Sequence, residues 1–146
     1  MMVREARISD AAAIVDLLQG LYNEARPDYP FLRAPTAAFV HQCINGPRSL
    51  AIVVGDVPCG VLLASCAVNP FTKERVAEEH ALFVTPEARG GAGVRLIREF
   101  EAWAIKNDCT MARLTMQHSI RPEEISKLYR RRGYSEMETS FSRRLK

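Results

Sequence analysis

Three glycines, Gly90, Gly91 and Gly93, follow Pro86 and Arg89 and precede a run of helical periodicity. A turn of this composition presents backbone N–H groups at a helix N-terminus. Those groups and the helix dipole hold an anion such as a phosphate or pyrophosphate. Glycine lets such a ligand approach the backbone closely, and Arg89 would add a side-chain fork for the same charge. The same residues also suit a plain left-handed turn between a strand and a helix.

The details exclude the commonest phosphate loops. A P-loop requires Gly-Lys-Ser/Thr, and no lysine follows here. A dinucleotide fingerprint needs a third glycine three residues after the second. Counting from Gly91 and Gly93, that place holds Leu96. Its setting, after a meander of antiparallel strands, is also wrong. The cysteines Cys43, Cys59, Cys66 and Cys109 have the spacing of neither a zinc site nor a redox pair. They read as reduced thiols of a cytoplasmic protein. His41, His80 and His118 stand apart from one another, so no metal site is expected.

The turn must be positioned by a fold. Val3–Arg7 reads as a first strand. Ser9 and Asp10 suit a helix N-cap, and Ile14, Leu17, Leu18, Leu21 and Tyr22 recur at helical spacing, predicting a helix over 10–23. Residues 24–35 contain Pro27, Pro30 and Pro35 and read as a loop. A short helix over 36–45 follows, stopped by Gly46 and Pro47. Strands are predicted over 50–54, 60–68 and 76–84 as an antiparallel meander. Behind the glycines, Leu96, Ile97, Phe100, Trp103 and Ala104 form the buried stripe of a helix reaching Asn107. A strand over 113–116 and a helix opening at Pro122 come next. Glu123 and Glu124 near that helix's start, and Arg130, Arg131 and Arg132 near its end, complement its dipole. Gly133 fits the position after it. Residues 134–136 and 139–144 are expected to be two closing strands. This order makes a mixed α/β (α+β) sheet with helices on it, not a repeating βαβ array.

The 146 residues suffice for one domain, 1–146, with a sizeable core. Apolar residues form 47% and charged residues 25%, as in soluble globular proteins. Twenty Lys and Arg against 17 Asp and Glu leave a net charge of +3, too mild to argue for nucleic acid. No apolar run approaches a membrane span. The opening MMVREARISD lacks the apolar centre of a signal peptide.

The stretch Val84-Thr85-Pro86-Glu87-Ala88-Arg89-Gly90-Gly91-Ala92-Gly93-Val94-Arg95-Leu96-Ile97 resembles motif A of the GNAT family of N-acetyltransferases, V-x-P-x-x-R-G-x-G-x-G before a helix. Leu128-Tyr129-Arg130-Arg131-Arg132-Gly133-Tyr134 is similar to the family's motif B, L-Y-x-x-x-G-F/Y. Val3-Arg4-Glu5-Ala6-Arg7-Ile8-Ser9-Asp10 resembles its opening, V-R-x-A-x-x-x-D. The three stand in family order and spacing, so the resemblance covers nearly the whole chain. The run RGGAGVRLI and the short length look most like the small phage-encoded members. One departure stands out. Matching from Arg89 puts Ala92 and Val94 where the family has glycine. Matching back from Leu96, Ile97 and Trp103 puts Gly91 and Gly93 there. The second register is preferred, because a core helix resists a shift more than a loop does.

The resemblance implies a mostly antiparallel sheet of about six or seven strands with about four helices on both faces. It implies acetyl-CoA as co-substrate, its pyrophosphate held by Arg89, Gly90, Gly91, Ala92, Gly93 and Val94. Backbone groups around Leu82, Phe83 and Val84 would pair with pantetheine and polarise the thioester carbonyl. Tyr129 takes the place of the motif B tyrosine that points at the CoA sulfur, a candidate acid. Its other reading is a core residue beside Ile125 and Leu128. Glu78 and Glu79 lie on the strand where the family often keeps a glutamate acting as base through water. Simple alternation puts Glu78, His80 and Leu82 on the face of Val84, and Glu79, Ala81 and Phe83 on the other. Glu79 is preferred over Glu78, and His80 is a lesser candidate. The loop between the first two helices helps shape the acceptor side in this family. There Asp28 would hold an ammonium and Tyr29 would stack on the acceptor.

The expected reaction is transfer of an acetyl group to a primary amine of a small molecule or protein by direct attack. A degenerate member that binds CoA or a protein partner without turnover is the alternative, motivated by the altered glycine loop. Neither nucleic acid nor membrane is an expected partner. A homodimer is an assembly open to such a domain. The basic tail residues Arg130, Arg131, Arg132, Arg143, Arg144 and Lys146 read first as a solvated surface, and otherwise as contacts for the CoA 3′-phosphate or an acidic partner.

Overall fold

Alternation along β2 (Ser49–Val54), β3 (Gly60–Val68) and β4 (Arg75–Val84) builds two cores, one on each face of the sheet. Ala51, Val53, Val61, Leu63, Ala81 and Phe83 point to one face. Ile14, Val15, Leu17 and Leu18 of α1 (Ala11–Ala25), with Val40 and Cys43 of α2 (Arg33–Asn45), cover them. Leu50, Ile52, Val54, Leu62, Ala64, Ala77 and Val84 point to the other face, against Leu96, Phe100 and Ala104 of α3 (Ala92–Lys106). Helices on both faces explain why the central strands read as near-continuous apolar runs. The computed structural model describes residues 1–146. It adds β1 (Val3–Glu5), β5 (Met111–Arg113), α4 (Pro122–Arg131) and single 3-10 turns at Ile8–Asp10 and Pro86–Ala88.

The strands lie in chain order, β1-β2-β3-β4-β5. Every pair is antiparallel except β4 with β5. A parallel pair needs a crossover, and α3 provides it. The mixed α/β class and the helices on both faces are as expected, but the sheet has five strands instead of six or seven. Neither 134–136 nor 139–144 forms a strand. Tyr134 N–H bonds back to Tyr129 C=O at 3.0 Å, prolonging the C-terminal turn of α4. Beyond Arg113, Thr115 turns both its backbone groups to side chains, which leaves the tail no continuing ladder to join.

Three boundaries also differ. The fifth strand starts two residues early, because Thr110 N–H takes Arg75 C=O as soon as α3 is capped. The first helix continues to Ala25 and ends on Arg26 in the left-handed region, φ 47°. The second begins at Arg33, since Pro35 falls in its first turn, where a missing N–H costs nothing.

The opening motif is a clamp. Arg4 on β1 donates to both carboxylate oxygens of Asp10, at 2.8 and 3.0 Å, and to Asp56 C=O at 2.9 Å. Asp10 also accepts Arg7 N–H at 2.7 Å. The Arg4 guanidinium, despite burial of the carboxyl, holds Asp10 down at about 2. The clamp joins the first strand to the entry of α1. No helix is long and apolar enough to cross a membrane.

Candidate active site

The site is set by an irregularity in β4. The β3–β4 register runs Leu63↔Ala81 and then Ala64↔Glu79, so His80 is an extra, bulged residue. A bulge resets the alternation of faces. Glu79 therefore stands opposite Ala64, on the α3 face with Ala77, Leu82 and Val84. This corrects the simple count, which put Glu78 and His80 on the face of Val84.

The bulge also separates β4 from β5. Their ladder pairs Val76 with Met111, Ala77 with Ala112 and Glu78 with Arg113, and stops there. From Glu79 onward a wedge opens between them. The bond from Thr85 N–H to Cys59 C=O fixes the phase of the β3–β4 ladder. Ala81 and Phe83 then bond to β3, while Leu82 and Val84 aim their backbone groups into the wedge.

Glu79 is buried where the wedge begins. Its carboxylate accepts Thr115 N–H at 3.0 Å, where a regular strand would offer a backbone carbonyl. Burial pushes its carboxyl up to about 7, against the single hydrogen bond that favours the charge. Tyr129 reaches the same residue from α4, its hydroxyl donating to Thr115 C=O at 2.8 Å. Burial, helped by the nearby Glu79 charge, raises this phenol. A cavity of about 490 Å³ adjoins Tyr129, between Leu114, Thr115, Met116 and His118 on one side and residues 134–140 on the other; Glu79 is not among its walls. A second cavity, about 570 Å³, lies along β5 beside Glu101, Arg132 and Tyr134, away from Glu79.

Glu78 and His80 are engaged elsewhere. Glu78 faces Arg113 at 3.4 Å. His80 is exposed, with Nε2 2.6 Å from Ser65 Oγ and its ring edge-on to Phe39.

At the far end of the wedge, β4 runs through Pro86–Ala88 into the glycine turn. Gly90 and Gly91 have φ of 118° and 156°. The first bond of α3 is Arg95 N–H to Gly91 C=O at 3.1 Å. The N–H groups of Gly90, Gly91, Ala92, Gly93 and Val94 thus have no acceptor in the chain. A Cβ at Gly90 or Gly93 would meet nothing within 4 Å, so the space over the turn is open. Open N–H groups at the start of a 15-residue helix fit a pyrophosphate.

Arg89 does not present its fork to this turn. Its guanidinium pairs with Glu24 of α1 at 2.7 Å, donates to Val84 C=O at 3.0 Å and lies over the Phe83 ring. Arg95 stands in its place. Its guanidinium lies 3.5 Å from where a Gly91 Cβ would be. The signal for Arg95 was its position one helical turn past Gly91, where side chains lean back over the N-terminus. Thr115 was also missed, since it acts through its backbone and its side-chain type carries no signal.

Asp28 and Tyr29 are exposed in the α1–α2 connection. Tyr29 packs toward Tyr22, with ring centroids 6.3 Å apart, and Arg144 donates to Asp28 C=O at 3.2 Å. Ser119 Oγ donates to Ala25 C=O at 2.7 Å, tying this connection to the segment after β5. Neither Asp28 nor Tyr29 bonds to Glu79 or Tyr129.

The sheet thus parts after a bulge, with a turn of open N–H groups at one end and Glu79 and Tyr129 at the other, in a mixed α/β domain with helices on both faces. The family model described as "Acetyltransferase (GNAT) family" matches residues 13–134. The chain belongs to that family. No curated protein sequence matches it. Among solved structures it is similar to a ribosomal-protein-alanine N-acetyltransferase from Brucella melitensis biovar Abortus 2308, at TM-score 0.75 and 18% identity over 99% of each chain. It is similar to an aminoglycoside antibiotic 6'-N-acetyltransferase from Acinetobacter haemolyticus, at TM-score 0.72 and 21% identity over 100% of both. A transcriptional regulator from Bacillus halodurans C-125 aligns at TM-score 0.81 and 19% identity, over 99% of each chain. At these identities the likeness is one of fold.

Proposed function

We propose that residues 1–146 form one N-acetyltransferase domain that moves an acetyl group from acetyl-CoA to a primary amine of a small molecule or protein. The observation that supports this reading best is the attachment of Glu79 to the N–H and of Tyr129 to the C=O of one residue, Thr115, where the wedge begins. Acetyl-CoA supplies the activated acyl group. The N–H groups of residues 90–94, with Arg95 above them, hold its pyrophosphate. Leu82 through both its backbone groups, and Val84 through its N–H, offer a strand edge to pantetheine and to the thioester carbonyl. Glu79, with a carboxyl near 7, takes a proton from the acceptor ammonium directly or through water, leaving a neutral amine to attack. Tyr129 gives its proton to the departing sulfur. Asp28 and Tyr29 stand on the acceptor side.

A second reading, CoA binding without turnover, draws on Tyr129, whose hydroxyl already donates to Thr115 C=O. Thiol release from acetyl-CoA across a panel of primary amines separates the two. Amine-dependent release supports transfer. Calorimetric CoA binding with no release by any amine supports the binding module.

A further inference from the structure

Cys66 and Cys109 are 43 positions apart, yet their sulfurs lie 3.1 Å apart. Backbone bonds hold both in place. Cys66, on β3 opposite Ala77 of β4, donates its N–H to Arg48 C=O at 2.9 Å. Cys109, in the turn from α3 to β5, donates its N–H to Ala104 C=O at 2.9 Å. Each is half-buried, so solvent reaches the pair.

The spacing favours one chemistry. A tetrahedral zinc with Zn–S near 2.3 Å would hold two sulfurs roughly 3.7 Å apart, and no third His, Cys, Asp or Glu joins the pair. A disulfide closes to about 2.05 Å, so the sulfurs must approach by about 1 Å, not separate. Burial and the neighbouring sulfur push the Cys66 thiol up to about 12, while Arg75 and Arg48 act in the opposite direction. A thiol raised in this way supplies less thiolate near neutral pH, so exchange at Cys66 is faster in mildly alkaline buffer.

We propose that Cys66 and Cys109 are an oxidation site that forms an intramolecular disulfide with a low-molecular-weight disulfide as oxidant. One cysteine thiolate attacks a sulfur of the oxidant, breaking its S–S bond and releasing one thiol. The second cysteine, losing its proton, attacks the mixed disulfide and releases another. Two cysteine thiols are oxidised, one small disulfide is reduced to two thiols, and both protons end on those thiols. The bond staples β3 to the α3–β5 turn, across the start of β4. That is the opposite end of β4 from Val84 and the glycine turn, so the anion site is left as it is.

The test treats the full chain with oxidised glutathione, alkylates remaining thiols and maps the peptides by mass. The expected product is a monomer with the Cys66 and Cys109 peptides linked, and Cys43 and Cys59 alkylated. Its Tm rises by roughly 10 °C, as expected for a bridge closing a loop of this length, and a reductant reverses the shift. Cys66→Ser and Cys109→Ser each lose both the link and the shift. Alkylation of all four cysteines after oxidation, stable glutathione adducts, or a bridge through Cys59 or between chains would overturn the proposal.

Discussion

Glu79 and Tyr129 are both held by the backbone of Thr115. Glu79 takes the N–H of Thr115 and Tyr129 donates to its C=O, at 3.0 and 2.8 Å. A carboxylate on β4 and a phenol on α4 are thereby held to the same point just beyond β5. A shift of that segment moves both, which keeps the two side chains in fixed relation, as the proposed base and acid require.

The first prediction concerns Glu79. With its carboxyl near 7, turnover should rise with pH through about that value. Glu79→Gln keeps an oxygen for Thr115 N–H and removes the base. Turnover should fall by on the order of 10²-fold near pH 7, with partial recovery at high pH where free amine is abundant. If Glu78→Gln behaves this way and Glu79→Gln does not, the base is misassigned.

The same substitution has a stability signature. Folded Glu79 titrates near 7 against an ordinary 4.5, so the native state holds an extra proton between those values. Stability therefore declines as pH rises through that window, by up to about 3 kcal/mol. Denaturation of Glu79→Gln at pH 4.5 and pH 8 should show that decline reduced. An identical pH dependence in both proteins would show that Glu79 is not held in a charge-disfavouring site.

A carboxylate at Gly93 should separate folding from binding. The position lies in the first turn of α3, faces open space and has no positive φ, so Gly93→Asp is tolerated and suits the helix dipole. Thermal stability should stay level or rise slightly. CoA affinity, by calorimetry, should drop by on the order of 10²-fold or more as the carboxylate meets the phosphates. Unchanged affinity would move the pyrophosphate off this turn.

Two arginines should divide the work that the sequence assigns to one. Arg95→Ala should weaken CoA binding by about tenfold, the loss of a charge-assisted contact, with little change in Tm. Arg89→Ala breaks the pair with Glu24 and the contact with Phe83, so its first effect should be on Tm. The opposite pattern would put Arg89 back on the phosphates.

What was legible in the sequence was local chemistry. The glycine turn, α3's apolar stripe and the motif B tyrosine each lie within a short window, and each is found where its residue types put it. The face of Glu79 was not, because a single bulged residue at His80 reverses the count, and period-two patterning carries no sign of it. The closing strands failed for a related reason. Residues 139–144 have the composition of a strand, but a strand also needs a free ladder, and Thr115 has turned its groups to Glu79 and Tyr129. Arg89 was assigned to the turn by its sequence neighbours, whereas Glu24, 65 positions away, holds it. The meeting of Cys66 with Cys109 is likewise a product of topology, which spacing cannot reveal.

The Arg4–Asp10 clamp sets an acid limit. Asp10 is held near 2, below its ordinary 3.8, so its contribution is complete above the ordinary value and is lost as pH falls through about 2. Asp10→Asn should cost about 2 kcal/mol at pH 7 by stranding the Arg4 guanidinium. That difference should shrink as the pH of a denaturation series falls below about 4. A constant difference would mean that the clamp works by shape and not by charge.

The most direct test of the central claim is steady-state CoA release from acetyl-CoA with primary amines, comparing the native chain with Tyr129→Phe. The substitution keeps the ring and removes only the hydroxyl, so stability and CoA affinity should change little. Amine-dependent release by the native chain, falling by on the order of 10²-fold in Tyr129→Phe, is the predicted result. Equal release by both proteins would contradict it and leave Tyr129 a packing residue anchored to Thr115.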